Sequence, residues 1–305
     1  MSRRYALFAV LGFALTLCGA ARAQQALTLH KTWTLPGAPF REGYIFVDGF
    51  HIRYVEAGKG PAIISLPGSA GLEMSIAKDE LSKRFHVIEL EPPGWGYSLE
   101  LTRSMTQKEL AGILADAIQQ LGIPRYTLIG TSLGGTNALW IAVEHPDRVQ
   151  ALVFESAVTF MRPEDAAQTP DETQQIQKAL TEGWLDQTKA LPGLPMPTNG
   201  AKPWQTNEYY AELMRRRFRT SKHLATDPAE TKELSDRAHD LKVPAVAMVG
   251  TEDEIMHTSV GDSWKAHMPD VQFIVVPGGT QDLQNTAPDV FIATVTKFVR
   301  AEMKR

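Results

Sequence analysis

Cysteine is nearly absent from this 305-residue chain: the single one, Cys18, lies inside an N-terminal apolar stretch. Without a second thiol the chain forms no internal disulfide, and thiol catalysis downstream of residue 18 is excluded. No apolar run reaches the roughly 18–20 residues that a bilayer-spanning helix needs. Excess charge of one sign is also missing, with 31 basic against 35 acidic residues. That balance argues against nucleic acid or an anionic membrane as a partner. No H-E-x-x-H or comparable ligand spacing occurs, so no metal is expected, and no G-x-G-x-x-G follows a strand, so no dinucleotide is expected either. No histidine follows His267.

The N-terminus carries an address. Arg3 and Arg4 precede the apolar run Ala6 to Leu17, and Ala21-Arg22-Ala23 closes it with a small-x-small pattern. Residues 1–23 therefore read as a signal peptide, and the mature chain as periplasmic or secreted, with no stable membrane anchor. Cleavage would remove Cys18 and three arginines, leaving 28 basic against 35 acidic residues, a net −7.

Beyond the signal, β-rich runs alternate with amphipathic helical stretches. The strands are expected at 44–48, 51–57, 61–66, 86–91, 126–130, 149–155, 243–249 and 271–276. Several are unbroken apolar runs, such as Ala151 to Phe154, the mark of strands covered on both faces. The fold class is α/β, a mainly parallel sheet covered by helices on both faces. Thr106-x-x-Glu109 is a capping box opening a helix whose apolar face is Leu110, Ile113, Leu114, Ala117 and Leu121. A last helix starts near Pro288 and buries Phe291, Val295 and Phe298. Residues 158–240 break the alternation, with two helix candidates, one from Thr169-Pro170 and one over about 207–219, around a proline-rich connector. They read as a helical cap inserted into a core domain made of 24–157 and 241–305. The basic run Arg215 to Arg219 is either a solvated helix face or an anion site.

The motif that carries chemistry is Gly130-Thr131-Ser132-Leu133-Gly134-Gly135, set between an apolar strand and a helical run. A G-x-S-x-G in that context is a nucleophile elbow rather than an ordinary glycine turn. It presents Ser132 on a strained strand-to-helix turn, with glycines where chains pass closely. The Leu133 N–H and the helix N-terminus then face developing negative charge.

With the elbow in place, the chain resembles the α/β-hydrolase family across most of 44–303. Leu66-Pro67-Gly68-Ser69-Ala70-Gly71 is similar to the family's oxyanion loop, which implies that the Ser69 N–H is the second oxyanion donor beside that of Leu133. Glu91-Pro92-Pro93-Gly94-Trp95-Gly96-Tyr97-Ser98 resembles another family loop, as a fold-defining turn, with Trp95 at the pocket mouth as the functional alternative. Gly250-Thr251-Glu252-Asp253 matches the segment that holds the triad acid, so the resemblance assigns that role to Asp253, with Glu155 as the less favoured substitute.

The family's histidine follows the last strand. Here the matching run is Pro277-Gly278-Gly279-Thr280-Gln281-Asp282, and the expected histidine position holds Gln281. A glutamine amide cannot take a proton from Ser132 near neutral pH. His257, four residues past Asp253, is the candidate surrogate base. Two functions follow: a serine hydrolase acting on a small ester or related acyl substrate without a cofactor, or a non-catalytic pseudo-hydrolase that binds a small ligand.

Overall fold

The computed structural model describes residues 40–165 and 223–302, less 69–70, 73–74, 96–97, 99–100, 102 and 226. The expected signal peptide, both expected cap helices and the run Arg215 to Arg219 lie outside the described residues.

All eight expected strands form. They are β1 (Arg41–Val47), β2 (Phe50–Ala57), β3 (Ala62–Leu66), β4 (His86–Glu91), β5 (Tyr126–Thr131), β6 (Val149–Glu155), β7 (Ala245–Gly250) and β8 (Gln272–Val276). Together they make one sheet in the order β1-β2-β4-β3-β5-β6-β7-β8. Only the β1–β2 and β2–β4 pairings are antiparallel. The β1–β2 turn is Asp48-Gly49, both at positive φ (48° and 84°), the backbone that a two-residue hairpin turn demands.

Seven α-helices are described: α1 (Ile76–Ser82), α2 (Gln107–Gln120), α3 (Leu133–Glu144), α4 (Pro228–Asp240), α5 (Val260–His267), α6 (Leu283–Thr286) and α7 (Pro288–Glu302). The capping box at Thr106 and Glu109 is made in both directions. Strand alternation divides the core. Leu128, Leu152, Phe154, Ala247 and Val249 face α2, α3, α4 and α5, joined by Trp140 and Trp264. Ile129, Val153, Val246 and Met248 face the opposite side, against Ala77 and Leu81 of α1 and Phe291, Val295 and Phe298 of α7. Unbroken apolar strands are thus explained: each neighbouring side chain has a core of its own.

One expectation changes. Helix α4, expected as part of the cap, packs Leu234 and Ala238 into the core. Arg237 bonds Glu144 and the Val143 carbonyl at the far end of α3 from Ser132, and Glu233 pairs with Lys108 of α2. The core therefore resumes by residue 228 rather than 241. Trp95 is buried in the same core cluster, and Glu91 beside it pairs with Arg53 and accepts from the Ser98 N–H, so that loop is a fold-defining turn. No helix among the described residues is long and apolar enough to cross a membrane.

Candidate active site

Because β3 to β8 run parallel, the loops leaving β3, β5, β6, β7 and β8 gather at one edge of the sheet, where sheets of this kind bind ligands. Ser132 leaves β5 with φ 50° and ψ −118° and starts α3 on its next residue. A non-glycine residue held there costs about 1–3 kcal/mol, which the surroundings must overcome. They do so by close packing. A Cβ at Gly134 would lie 2.1 Å from the Leu66 carbonyl oxygen, and one at Gly130 would lie 2.6 Å from the Gly135 Cα. The Ser132 N–H donates to the Glu155 carbonyl at 3.0 Å, and its own carbonyl accepts from Gly135 N–H at 3.1 Å.

Ser132 is 8% exposed. Across from it runs the loop after β3, where a Cβ on Gly68 would come within 2.9 Å of the Ser132 Cβ. Leu133 supplies the first N–H of α3, which has no acceptor within the helix and sits at the positive end of its dipole. Ser69, the second expected oxyanion donor, lies outside the described residues. The Gly71 N–H donates to the Gly68 carbonyl at 3.1 Å.

Asp253 occupies the loop after β7 and is 9% exposed. Its Oδ1 accepts from the Ile255 and Met256 N–H groups at 2.8 and 3.2 Å. Its Oδ2 is buried and has no hydrogen-bond partner among the described residues. Neither Gln281 nor the exposed His257 reaches that atom. The His257 backbone instead donates to the Asp165 carbonyl at 2.7 Å, while the Asp165 carboxylate takes two bonds from the Arg162 guanidinium and one from Ser259 Oγ. Hydrogen bonding from Arg162 holds the Asp165 carboxyl down to about 2. This cluster pins the acid loop to the chain leaving β6.

The loop after β8 is laced to the acid loop. The Glu252 N–H donates to the Gly279 carbonyl at 2.9 Å, the Gly278 N–H to Thr251 Oγ1 at 2.9 Å, and any Cβ on Gly250 would strike Gly279. Gln281 rides on this loop, half-buried. Ser132, Asp253 and Gln281 thus share one sheet edge, but among the described residues no continuous hydrogen-bonded relay joins them.

Two site residues had weak signals or none. Glu155 is fully buried at the end of β6 and bonds Thr131 and Gln284. An acidic residue closing the apolar run Ala151 to Phe154 was its signal. Gln284 had no signal in the sequence.

A family model described as the alpha/beta hydrolase fold matches residues 63–284. The chain belongs to that family. Among its relatives, this α/β-hydrolase-fold chain is 28% identical over 203 residues to a 2-hydroxy-6-oxononadienedioate/2-hydroxy-6-oxononatrienedioate hydrolase of Burkholderia vietnamiensis, covering 63% of this chain and 68% of the relative. It is 26% identical over 247 residues to a pimeloyl-acyl-carrier-protein methyl ester esterase of Nitrosomonas europaea, covering 74% and 90%. An esterase structure from a Rhodococcus species superposes with a TM-score of 0.65 at 23% identity, over 86% of this chain and 98% of that one, a likeness of fold.

Proposed function

We propose that this α/β-hydrolase-fold protein is an exported serine hydrolase of small esters or related acyl compounds, slow in turnover because Gln281 stands where a general base belongs. The observation that carries the reading is the strained Ser132 backbone, φ 50°, held by glycine contacts that leave no room for a Cβ. Such strain is retained where it presents a reacting group. The esterase and hydrolase names of the relatives support an acyl substrate. The Arg3-Arg4, apolar and Ala-x-Ala sequence supports export.

In the proposed reaction, Ser132 Oγ bonds to the acyl carbon and the ester C–O bond breaks. The alcohol departs with a proton, and water then releases the acid. The Leu133 N–H, with that of Ser69, would stabilise the oxyanion. With no histidine at the base position, the Ser132 proton passes to water. Oxyanion donors and binding alone preserve roughly 10³–10⁴ of acceleration over the uncatalysed reaction.

The unpartnered Asp253 Oδ2 favours a second reading, a pseudo-hydrolase that binds a small ligand without turnover. A fluorophosphonate probe on the mature protein separates the two. The hydrolase reading expects a covalent adduct, Oγ–P formed and fluoride lost, mapped by peptide mass to Ser132 and absent in Ser132→Ala. An unlabelled Ser132 in folded protein leaves the binding reading standing.

A further inference from the structure

Glu155 is a buried carboxylate that the acyl chemistry does not use. It has no exposed surface, yet its two oxygens collect three donors. Thr131 Oγ1 donates to Oε2 at 2.6 Å, Gln284 Nε2 to Oε2 at 2.6 Å and the Gln284 N–H to Oε1 at 2.9 Å. Thr131 precedes the nucleophile, and the Ser132 N–H itself donates to the Glu155 carbonyl. Gln284 lies three residues past Gln281, and its Oε1 accepts from Ser75 Oγ at 2.9 Å. Ser75 caps α1, the helix that follows the loop of Gly68, through the Lys78 N–H at 3.1 Å. One carboxylate thus touches the elbow, the loop of Gln281 and, through one amide, the helix behind the oxyanion loop. The backbone next to it is strained as well, with Ser156 at φ 44°.

On the reading of Ser132 as the nucleophile, we propose that Glu155 is a positioning residue, locking the elbow to the Gln281 loop when ionised and loosening that lock when it takes up a proton. The physical reason is donor counting. An ionised carboxylate accepts from all three groups at once. A protonated one must place its own O–H, and both Gln284 groups are donors. Only Thr131 Oγ1 can receive it, so the Thr131 hydroxyl must turn away and its bond to Glu155 reverses.

The surroundings put this exchange in a usable range. Burial, then the charge of Asp282, pushes the Glu155 carboxyl up to about 7, against the hydrogen bonds of Thr131 and Gln284. Asp282, on the loop after β8, is the charged group acting on it, and Asn285 Nδ2 holds that carboxylate at 2.7 Å. The facing groups of β5 and α6, Thr131 and Gln284, are neutral. Lys78, the cation of α1, pairs with Glu89 of β4.

Amide NMR of the full mature chain tests the proposal without requiring turnover. Between pH 5 and 9 the Gln284 and Ser132 N–H resonances should titrate with one shared midpoint, and Glu155→Gln should remove it from both. Thr131→Val takes away a donor to the charged form and should raise the midpoint. Asp282→Asn removes a facing negative charge and should lower it. Fluorophosphonate labelling of Ser132 should slow by roughly tenfold below that midpoint, the size of one charge-assisted hydrogen bond, and lose this pH dependence in Glu155→Gln. Separate midpoints for the two amides, a midpoint that survives Glu155→Gln, or shifts of the same sign in Thr131→Val and Asp282→Asn would overturn it. A Ser132 that never labels while both amides titrate together removes the function proposed above and leaves this linkage intact.

Discussion

On the function proposed above, position 281 holds an amide where an imidazole would serve as the base, and Asp253 would be the acceptor for that imidazole. Asp253 Oδ2 is buried and has no donor among the described residues. Gln281→His should therefore gain an oriented ring, and turnover of an activated ester should rise by ~10²–10⁴. An apparent pKa of roughly 6–7 should appear in its pH–rate profile. A folded Gln281→His that gains nothing would show that more than the base is missing. Glu155 makes a separate prediction on stability. Its folded pKa of about 7 exceeds the ordinary 4.5, so the folded state holds a proton that the unfolded chain has lost. That contribution is fully present below pH 4.5 and disappears as pH rises through 7, an effect of about 3 kcal/mol. Glu155→Gln should flatten this part of the stability curve in urea titrations at pH 5 and 8. An unchanged difference between the two pH values would assign the effect elsewhere. Among single residues, the positions of Ser132, Asp253 and Gln281 just past strand ends were legible because each follows a recognisable strand in a short motif. Thr131, Gln284 and Ser75 were not, since a hydrogen-bond partner 153 or 209 positions away leaves no local pattern.

At the scale of elements, the strand-elbow-helix unit depends on glycine where β3 and α3 touch. Gly134→Ala would drive a methyl into the Leu66 carbonyl, so the elbow must shift. Loss of Ser132 labelling together with a lowered midpoint in thermal unfolding is expected, and full labelling would mean that the contact yields. Helix α7 answers to packing instead. Phe291 is fully buried between it and the sheet, and Phe291→Ala should cost about 3–5 kcal/mol in denaturant unfolding. The eight strands were readable because each carries apolar residues on both faces and ends at a turn signal. Helix α4 was misassigned to the cap for the opposite reason. Only Leu234 and Ala238 of its thirteen residues are buried, and ion pairs across to Glu144 and Lys108 hold the rest. A mostly polar helix gives no periodic sign of which neighbour it joins.

For the molecule as a whole, the proposed export predicts a mature protein that begins at Gln24, with a mass short of the full chain by residues 1–23. A retained Met1 would refute cleavage. The stretch between β6 and α4 has a further consequence. Its departure is fixed at Asp165, gripped by Arg162, Ser259 and the His257 N–H, and its return is fixed where Leu224-Ala225 pairs with Met105-Thr106. Both moorings are made by core residues on either side of positions 166–222. The framework is in effect a socket with two fixed terminals, into which segments of different length and chemistry can be grafted while the strands and the elbow keep their places. On the function proposed above, a chimera carrying a foreign segment between Asp165 and His223 should unfold near the parent's temperature and accept different esters, whereas cutting the Asp165 mooring with Asp165→Ala should loosen the loop of Asp253 whatever segment is installed.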